Sequence, residues 1–345
     1  MDGTLVPGDV DVADGCIAAV NLRGDGRGVA IPGLVDLQVN GVGDVDFAHA
    51  DAAAYARAGE VLAASGVTAF QPTLITAPED ELTAALRAVP DDRGGPRVIG
   101  AHLEGPFLSP RRLGAHPASA RRDPDRSLLE RLLAAGRVSQ VTLAPELEGA
   151  LELVDLLCDR GVVVSCGHSD ATAGEANRAF DRGVATVTHL FNAMRPFGHR
   201  DPGIAGAALA REDLAVQVIV DGQHLADETV RLVWLAAAGR VALVSDAVGT
   251  HLGGLELEVR DGVPYRVDGV LAGSIRPLID GMRRLCALGV PLEAAVGAVT
   301  SVPARIARRP DLGTLRPGSR ADVVVLDESL EVTRVLVGGE RLVEA

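Results

Sequence analysis

The chain has 345 residues, 47% hydrophobic and 23% charged, which is ample for a packed core and shows no signature of disorder. Its 33 basic residues stand against 47 acidic ones, for a net charge of −14, and an acidic surface of this kind excludes a long nucleic-acid contact. All of the basic residues are arginine, so Schiff-base chemistry, a pyridoxal phosphate anchor, a P-loop and a carbamylated-lysine metal bridge are excluded as well.

Residues 1–28 hold short strand-like pieces (Leu5-Val6, 10–12 and 16–20) broken by Gly and Asp. No basic stretch precedes an apolar run there, so no signal peptide is expected. From about residue 28 to 312 one unit repeats: a short Val/Ile/Leu-rich run, a polar residue or Gly/Pro, then an Ala/Leu/Arg-rich helical segment. The runs are 34–39, 67–70, 98–103, 141–143, 162–164, 185–188, 215–220 and 241–244. Continuous apolar runs separated by helices suit parallel strands buried on both faces. Eight units in this length predict an α/β fold, a (β/α)8 TIM barrel. A doubly wound sheet is the competitor, but Val39-Asn40-Gly41-Val42-Gly43 is too short for its dinucleotide loop. The uncharged stretch 61–78 contains Ser65, Gly66, Gln71, Pro72 and Pro78, and reads as a helix running into a strand rather than a membrane span.

The last segment is strand-like again, at 323–326, 332–337 and Leu342-Val343, with Gly338-Gly339 as a hairpin signal. Neither end can build a core alone. The expected organisation is a small β-domain from residues 1–28 and 313–345, and a catalytic barrel over 29–312. The cysteines, Cys16, Cys158, Cys166 and Cys286, fit neither a metal motif nor a disulfide framework. A soluble cytoplasmic protein, bound to no membrane, is expected.

Barrel chemistry sits at the C-terminal ends of the strands. In order these positions are Gln38 and Asn40, Gln71, Glu104, Glu146, His168, His189, Asp221 and Asp246. Glu104, His168 and His189 form a donor set for Zn²⁺ that leaves one position for water. Taken singly, each histidine reads as a core residue bonded to a backbone carbonyl, and Glu104 as a partner for Arg111 or Arg112. Asp246 reads equally as a proton-transfer group or as the N-cap of the next helix. His116, Asn192-Ala193, Arg200 and His224 are candidate substrate contacts, with Arg200 and His224 where a barrel commonly binds phosphate. His49, His199 and His251 read as solvent-exposed.

Certain runs are more specific: Pro32-Gly33-Leu34-Val35-Asp36, His102-Leu103-Glu104-Gly105-Pro106, Gly167-His168-Ser169, Thr188-His189-Leu190-Phe191-Asn192-Ala193-Met194, Asp221-Gly222-Gln223-His224, Ser245-Asp246-Ala247 and Leu271-Ala272-Gly273-Ser274. In these the chain resembles the N-acetylglucosamine-6-phosphate deacetylase family of the amidohydrolase superfamily, over essentially its whole length. The resemblance implies hydrolysis of N-acetyl-D-glucosamine 6-phosphate to D-glucosamine 6-phosphate and acetate. Glu104, His168 and His189 would hold the metal, Asp246 would act as general base and acid, and His116 would polarise the acetamide carbonyl. Ala115, Asn192, Ala193, Arg200, Asp221 and His224 would contact the sugar phosphate, and Leu271, Ala272 and Gly273 would line the acetyl end. A homodimer is implied too.

Where many amidohydrolases carry His-x-His, this chain has Gln38-Val39-Asn40. Amides are poor ligands, so the second metal position is expected to be lost. One divalent ion per subunit is expected, zinc first, with Fe²⁺, Mn²⁺ or Co²⁺ as alternatives. The segment 248–269, Arg276-Pro277 and His199 depart from the family pattern. The rival readings are a deacetylase of N-acetylgalactosamine 6-phosphate, a cyclic-amide or base-deaminating hydrolase, and a sugar-phosphate-binding barrel without catalysis.

Overall fold

The computed structural model describes residues 4–21, 27–91 and 95–344. Eight parallel strands follow one another in chain order around a nearly closed barrel. They are Leu34–Val39, Val67–Ile75, Ala101–Glu104, Val138–Leu143, Val163–Cys166, Thr186–Val187, Ala215–Val218 and Val241–Leu243. They are called barrel strands one to eight below. A helix follows each, from Ala52–Ala64 after strand one to Leu278–Ala287 after strand eight. The expected (β/α)8 barrel is the observed one.

The local causes are plain. The strands are apolar on the face toward the helices, where Leu34, Phe70, Leu103, Leu143, Val164, Val216 and Leu243 join one large core. The helices bury a single stripe each, as in Arg126–Ala135, where Leu128, Leu129 and Leu132 turn inward and the Asp125 carboxylate caps the Leu128 N–H. Thr172 and Glu175 form a full capping box on Ala173–Phe180.

Strand one keeps its expected limits and the others shift, with two of the shifts bearing on the site. Strand two continues past Phe70 through Pro72 to Ile75, so Gln71 lies inside it and donates to Ser139 Oγ at 2.9 Å. Thr76, not Gln71, stands at its end. Strand three is split: Arg97–Val98 pairs with strand two, and Ala101–Glu104 resumes after Gly100 with φ +138°.

The termini do join. Val29–Pro32 pairs with Val323–Leu326 in a four-stranded antiparallel sheet with Val332–Val337 and Glu340–Glu344, turned by Gly338-Gly339. This sheet takes in four residues beyond the expected limit at 28. Asp9–Ala13 and Cys16–Asn21 form a hairpin laced to it by Ile17 N–H to Ser319 O and Ala321 N–H to Gly15 O. Leu5-Val6 is not in a strand, and both residues are exposed. A third antiparallel sheet, His251–Leu252, Leu255–Arg260 and Val263–Arg266, rises after strand eight and seats Leu252 and Leu257 against Ile75, Val248 and Ala272.

The passage from the terminal sheet into strand one is tight. A Cβ on Gly33 would stand 2.0 Å from Thr68 Oγ1, whereas one on Gly174, in helix Ala173–Phe180, would meet nothing within 4 Å. Gly33→Ala is therefore expected to lose about 1–3 kcal/mol, read as a lower urea midpoint. Gly174→Ala should raise that midpoint, by about 0.5–1 kcal/mol of stability.

Candidate metal and catalytic site

Strands three, five and six deliver Glu104, His168 and His189 to one point. Glu104 Oε1 lies 3.1 Å from His168 Nε2 and 2.9 Å from His189 Nε2, and these two nitrogens are 3.1 Å apart. All three side chains are buried, and among the described residues they form the one group able to hold a metal ion. Both histidines have positive φ, +48° for His168 and +29° for His189. Each strand thus ends in a left-handed residue that swings the imidazole over the barrel axis. Such backbone persists only when its surroundings overdetermine it. Here Ser109 N–H binds His168 O and Leu190 N–H binds Gln217 O.

The donor chemistry fits a cation. His168 Nδ1 donates to the Arg112 carbonyl at 2.9 Å, which leaves a lone pair on Nε2. That lone pair and the Glu104 carboxylate point at the same small space, an electron-rich arrangement that an ion satisfies. Burial opposes ionisation of Glu104, but the imidazoles of His116, His168 and His189 around it outweigh that effect and hold the carboxyl well below its usual range. His189 is correspondingly raised, because Glu104 overcomes the effect of burial.

Gln38 and Asn40 sit on the carboxylates. Gln38 Nε2 donates to Glu104 Oε1 at 3.2 Å, and Asn40 Nδ2 donates to Asp246 Oδ1 at 2.7 Å. Their own amide oxygens are buried without partners. Asp246 is no helix cap: it stands in a left-handed turn with φ +49°, followed by the Val39–Ala247 bridge. Burial and the Glu104 charge push its pKa up, while His189, His224 and the Asn40 bond pull it back.

His116 completes the cluster, with Nε2 3.6 Å from Glu104 Oε2 and its ring 4.3 Å from that of His168. Thr76 N–H donates to His116 Nδ1 at 3.2 Å, which leaves the ring proton on Nε2, facing the site. Burial, with the neighbouring His168 adding, lowers its pKa to about 4, so it is a neutral hydrogen-bond donor.

The remaining expected contacts are less uniform. His224 Nδ1 and Asp221 Oδ2 are 2.9 Å apart, so Asp221 acts as the backing for His224. Asn192 turns its amide onto the His189 and Leu190 carbonyls. Ala193 has φ +47°. Leu271, Ala272 and Gly273 run beside the Asp246 turn, where Ser274 N–H binds Asp246 O. Ala115 O accepts from Arg266 Nη1 at 2.9 Å. Arg200 is exposed and apart from the buried cluster, as are His49, His199 and His251.

Two expectations fail on long-range pairing. Arg111 and Arg112 do not pair with Glu104; both bind Asp170, at 3.2 and 2.7 Å. Glu146 does not reach the site but accepts from Ser169 Oγ and Asp170 N–H. Asp170, Thr76 and Arg112 are supporting residues that strand-end reading missed. Only Thr76 left a signal, inside Pro72-Thr73-Leu74-Ile75-Thr76. Because Asp170 holds the arginine whose carbonyl orients His168, Asp170→Asn should weaken Zn²⁺ binding by about 10–100-fold, measured by chelator competition.

A model of the amidohydrolase family matches residues 29–342. The N-acetylglucosamine-6-phosphate deacetylase of Bos taurus is 38% identical, over 92% of this chain and 84% of its own length. The N-acetylgalactosamine-6-phosphate deacetylase of Escherichia coli O157:H7 is 33% identical, over 98% and 96%. Among solved structures, a mutant N-acetyl-D-glucosamine-6-phosphate deacetylase from Mycobacterium smegmatis, in complex with N-acetyl-D-glucosamine-6-phosphate, superposes with a TM-score of 0.92. It is 35% identical and covers 97% of this chain and 94% of that one. With Glu104, His168, His189 and Asp246 inside the matched span, the chain belongs to the amidohydrolase family and, within it, to the N-acetylglucosamine-6-phosphate deacetylases.

Proposed function

We propose that this chain hydrolyses the acetamide of N-acetyl-D-glucosamine 6-phosphate, releasing acetate and D-glucosamine 6-phosphate, with Asp246 moving the proton. The observation that carries the reading is the convergence of Glu104, His168 and His189 on one point beside a buried carboxylate and a neutral imidazole N–H. Those three residues would hold one divalent cation, zinc in the first instance. When bound, it supplies Lewis acidity, polarising the carbonyl and making water a better nucleophile at neutral pH.

The chain's own groups do the rest. Asp246 accepts a proton from the attacking water as its oxygen bonds to the acetamide carbon. His116 Nε2–H donates to the carbonyl oxygen as that atom gains negative charge. Asp246 then gives the proton to the sugar nitrogen, the C–N bond breaks and acetate leaves. Ala272 and Gly273 border the acetyl end, with Leu271 and Ala115 near them. Asn192, Ala193, Arg200 and His224, backed by Asp221, would meet the sugar and its phosphate. These catalytic groups all lie within the barrel expected over 29–312.

The four free cysteines suit a reducing compartment such as the cytoplasm. No helix among the described residues is long and apolar enough to cross a membrane. The exposed Leu232 and Leu235 of helix Asp227–Ala237, with exposed Phe197, favour a homodimer.

Metal-stripped protein titrated with Zn²⁺ should release acetate from N-acetylglucosamine 6-phosphate and saturate near one equivalent. Two equivalents would refute the lost position at Gln38 and Asn40. Faster turnover of N-acetylgalactosamine 6-phosphate would move the substrate assignment, and binding without acetate release would favour a non-catalytic barrel. Asp246→Asn should keep its metal and lose about 10²–10⁴ in kcat. Asn40→Ala removes a bond to the ionised form of Asp246, which raises that group's pKa. A general base must be ionised, so the acid limb of kcat/KM should move to higher pH in this variant.

A further inference from the structure

Asp36 lies inside strand one, 1% exposed, and the reaction above does not use it. Its importance comes from the barrel seam. Seven pairs of neighbouring barrel strands share ladders, but strands one and eight do not. Among the described residues their ends are joined by the Val39–Ala247 bridge, with Asn40 and Gly41 N–H groups on Ala247 O.

Asp36 spans this gap. Its Oδ1 accepts from Gln38 N–H and from Ser245 N–H, each at 3.2 Å. Ser245 Oγ in turn donates to Gln38 O at 3.3 Å and accepts from Ala247 N–H at 3.1 Å. Asp246 is thus held on both sides, with its backbone in a conformation that non-glycine residues avoid. The second oxygen, Asp36 Oδ2, is buried without a partner. Burial, with the Asp246 charge adding a little, raises the Asp36 pKa to about 7 against its bonds from Ser245 and Gln38. A carboxyl in such a place is costly, and an apolar side chain would fill the space without that cost. What an apolar side chain lacks is the acceptor for Ser245.

We infer that Asp36 is a positioning residue for the deacetylation: by pinning Ser245 across the seam it holds the Asp246 carboxylate in the turn that sets it beside Glu104 and His189. This rests on the reading of Asp246 as the proton-transfer group. It adds that strand one, through a residue that touches neither metal nor substrate, sets the rate.

The test uses the zinc-loaded protein, with kcat and KM for acetate release from N-acetylglucosamine 6-phosphate and metal content per chain. Asp36→Ala should lower kcat by about tenfold or more, with KM and metal content nearly unchanged. Asp36→Asn keeps an oxygen acceptor and should recover most of the rate. In an Asp246→Asn background, Asp36→Ala should cause almost no further loss, since both changes act on one group. Unchanged kcat in Asp36→Ala, an Asp36→Asn variant as slow as Asp36→Ala, or multiplying losses in the double variant would each overturn the inference. If Asp36→Ala fails to fold, Asp36→Leu decides, since it fills the space without the acceptor; it is expected to lower kcat at constant KM and overturns the inference if it does not. Full activity in Asp246→Asn would instead remove the reading of Asp246, an outcome distinct from a slow Asp246→Asn beside a normal Asp36→Ala.

Discussion

A single buried carboxylate organises this molecule. Glu104 is 3% exposed, carries its charge inside the barrel, and among the described residues pairs with histidines rather than with an arginine. An ionised carboxylate in such surroundings is tolerated only when hydrogen-bonded and electrically compensated. Its surroundings follow from that requirement. Gln38 gives one amide N–H, while His168, His189 and His116 bring ring nitrogens from three further segments. His168 and His189 enter from strand ends, and for these two and Asp246 the chain adopts left-handed backbone. Each such residue costs of order 1–3 kcal/mol, so the strain is concentrated where the chemistry is and is offset by the barrel around it.

The barrel offsets it through a graded interior. Toward the starts of the strands, Val35, Ala69, Val163 and Ala242 join an apolar cluster with Val302, Ala304 and Ile306. Further along, side chains become polar and bond one another. His102 lies between Thr73 and Thr142, and Thr142 continues to Thr188 and Ser165. Burial lowers the His102 pKa to about 4, so this layer carries no charge of its own. At the strand ends come the ionised groups. Hydrophobic packing fixes the framework, neutral hydrogen bonds set the orientation of the middle layer, and buried atoms without partners occur in that layer, at Asp36, Gln71, Gln140 and Gln217, as well as at Gln38 and Asn40.

Much of this was legible in the chain because period and spacing are local properties. The alternation of apolar runs and helices located eight strands, and their polar ends located Glu104, His168 and His189, which converge on one point. What was not legible depends on contacts between distant residues or on a misleading local cue. Pro72 reads as a strand stop, so strand two was cut short and Thr76, which orients His116, was overlooked. Arg112 and Asp170 are 58 residues apart, and no local pattern assigns that pair in preference to Arg112 with Glu104. The sheet after strand eight did leave a trace: Leu255-Glu256-Leu257-Glu258-Val259-Arg260 alternates, and Asp261-Gly262 is a hairpin turn. It was hidden by its place, as an antiparallel insertion inside a parallel pattern.

The same distinction explains strand one. Read as ligands, Gln38 and Asn40 are deficient, because amide oxygens are weak donors to zinc. In place they offer their N–H groups, to Glu104 and to Asp246. Two buried carboxylates that raise each other's cost of ionisation need positive charge or hydrogen-bond donors between them, and histidines presenting lone pairs there would require a second cation to supply it. Amides supply donors directly. With amides at both positions, hydrogen-bond donors fixed to strand one orient both carboxylates.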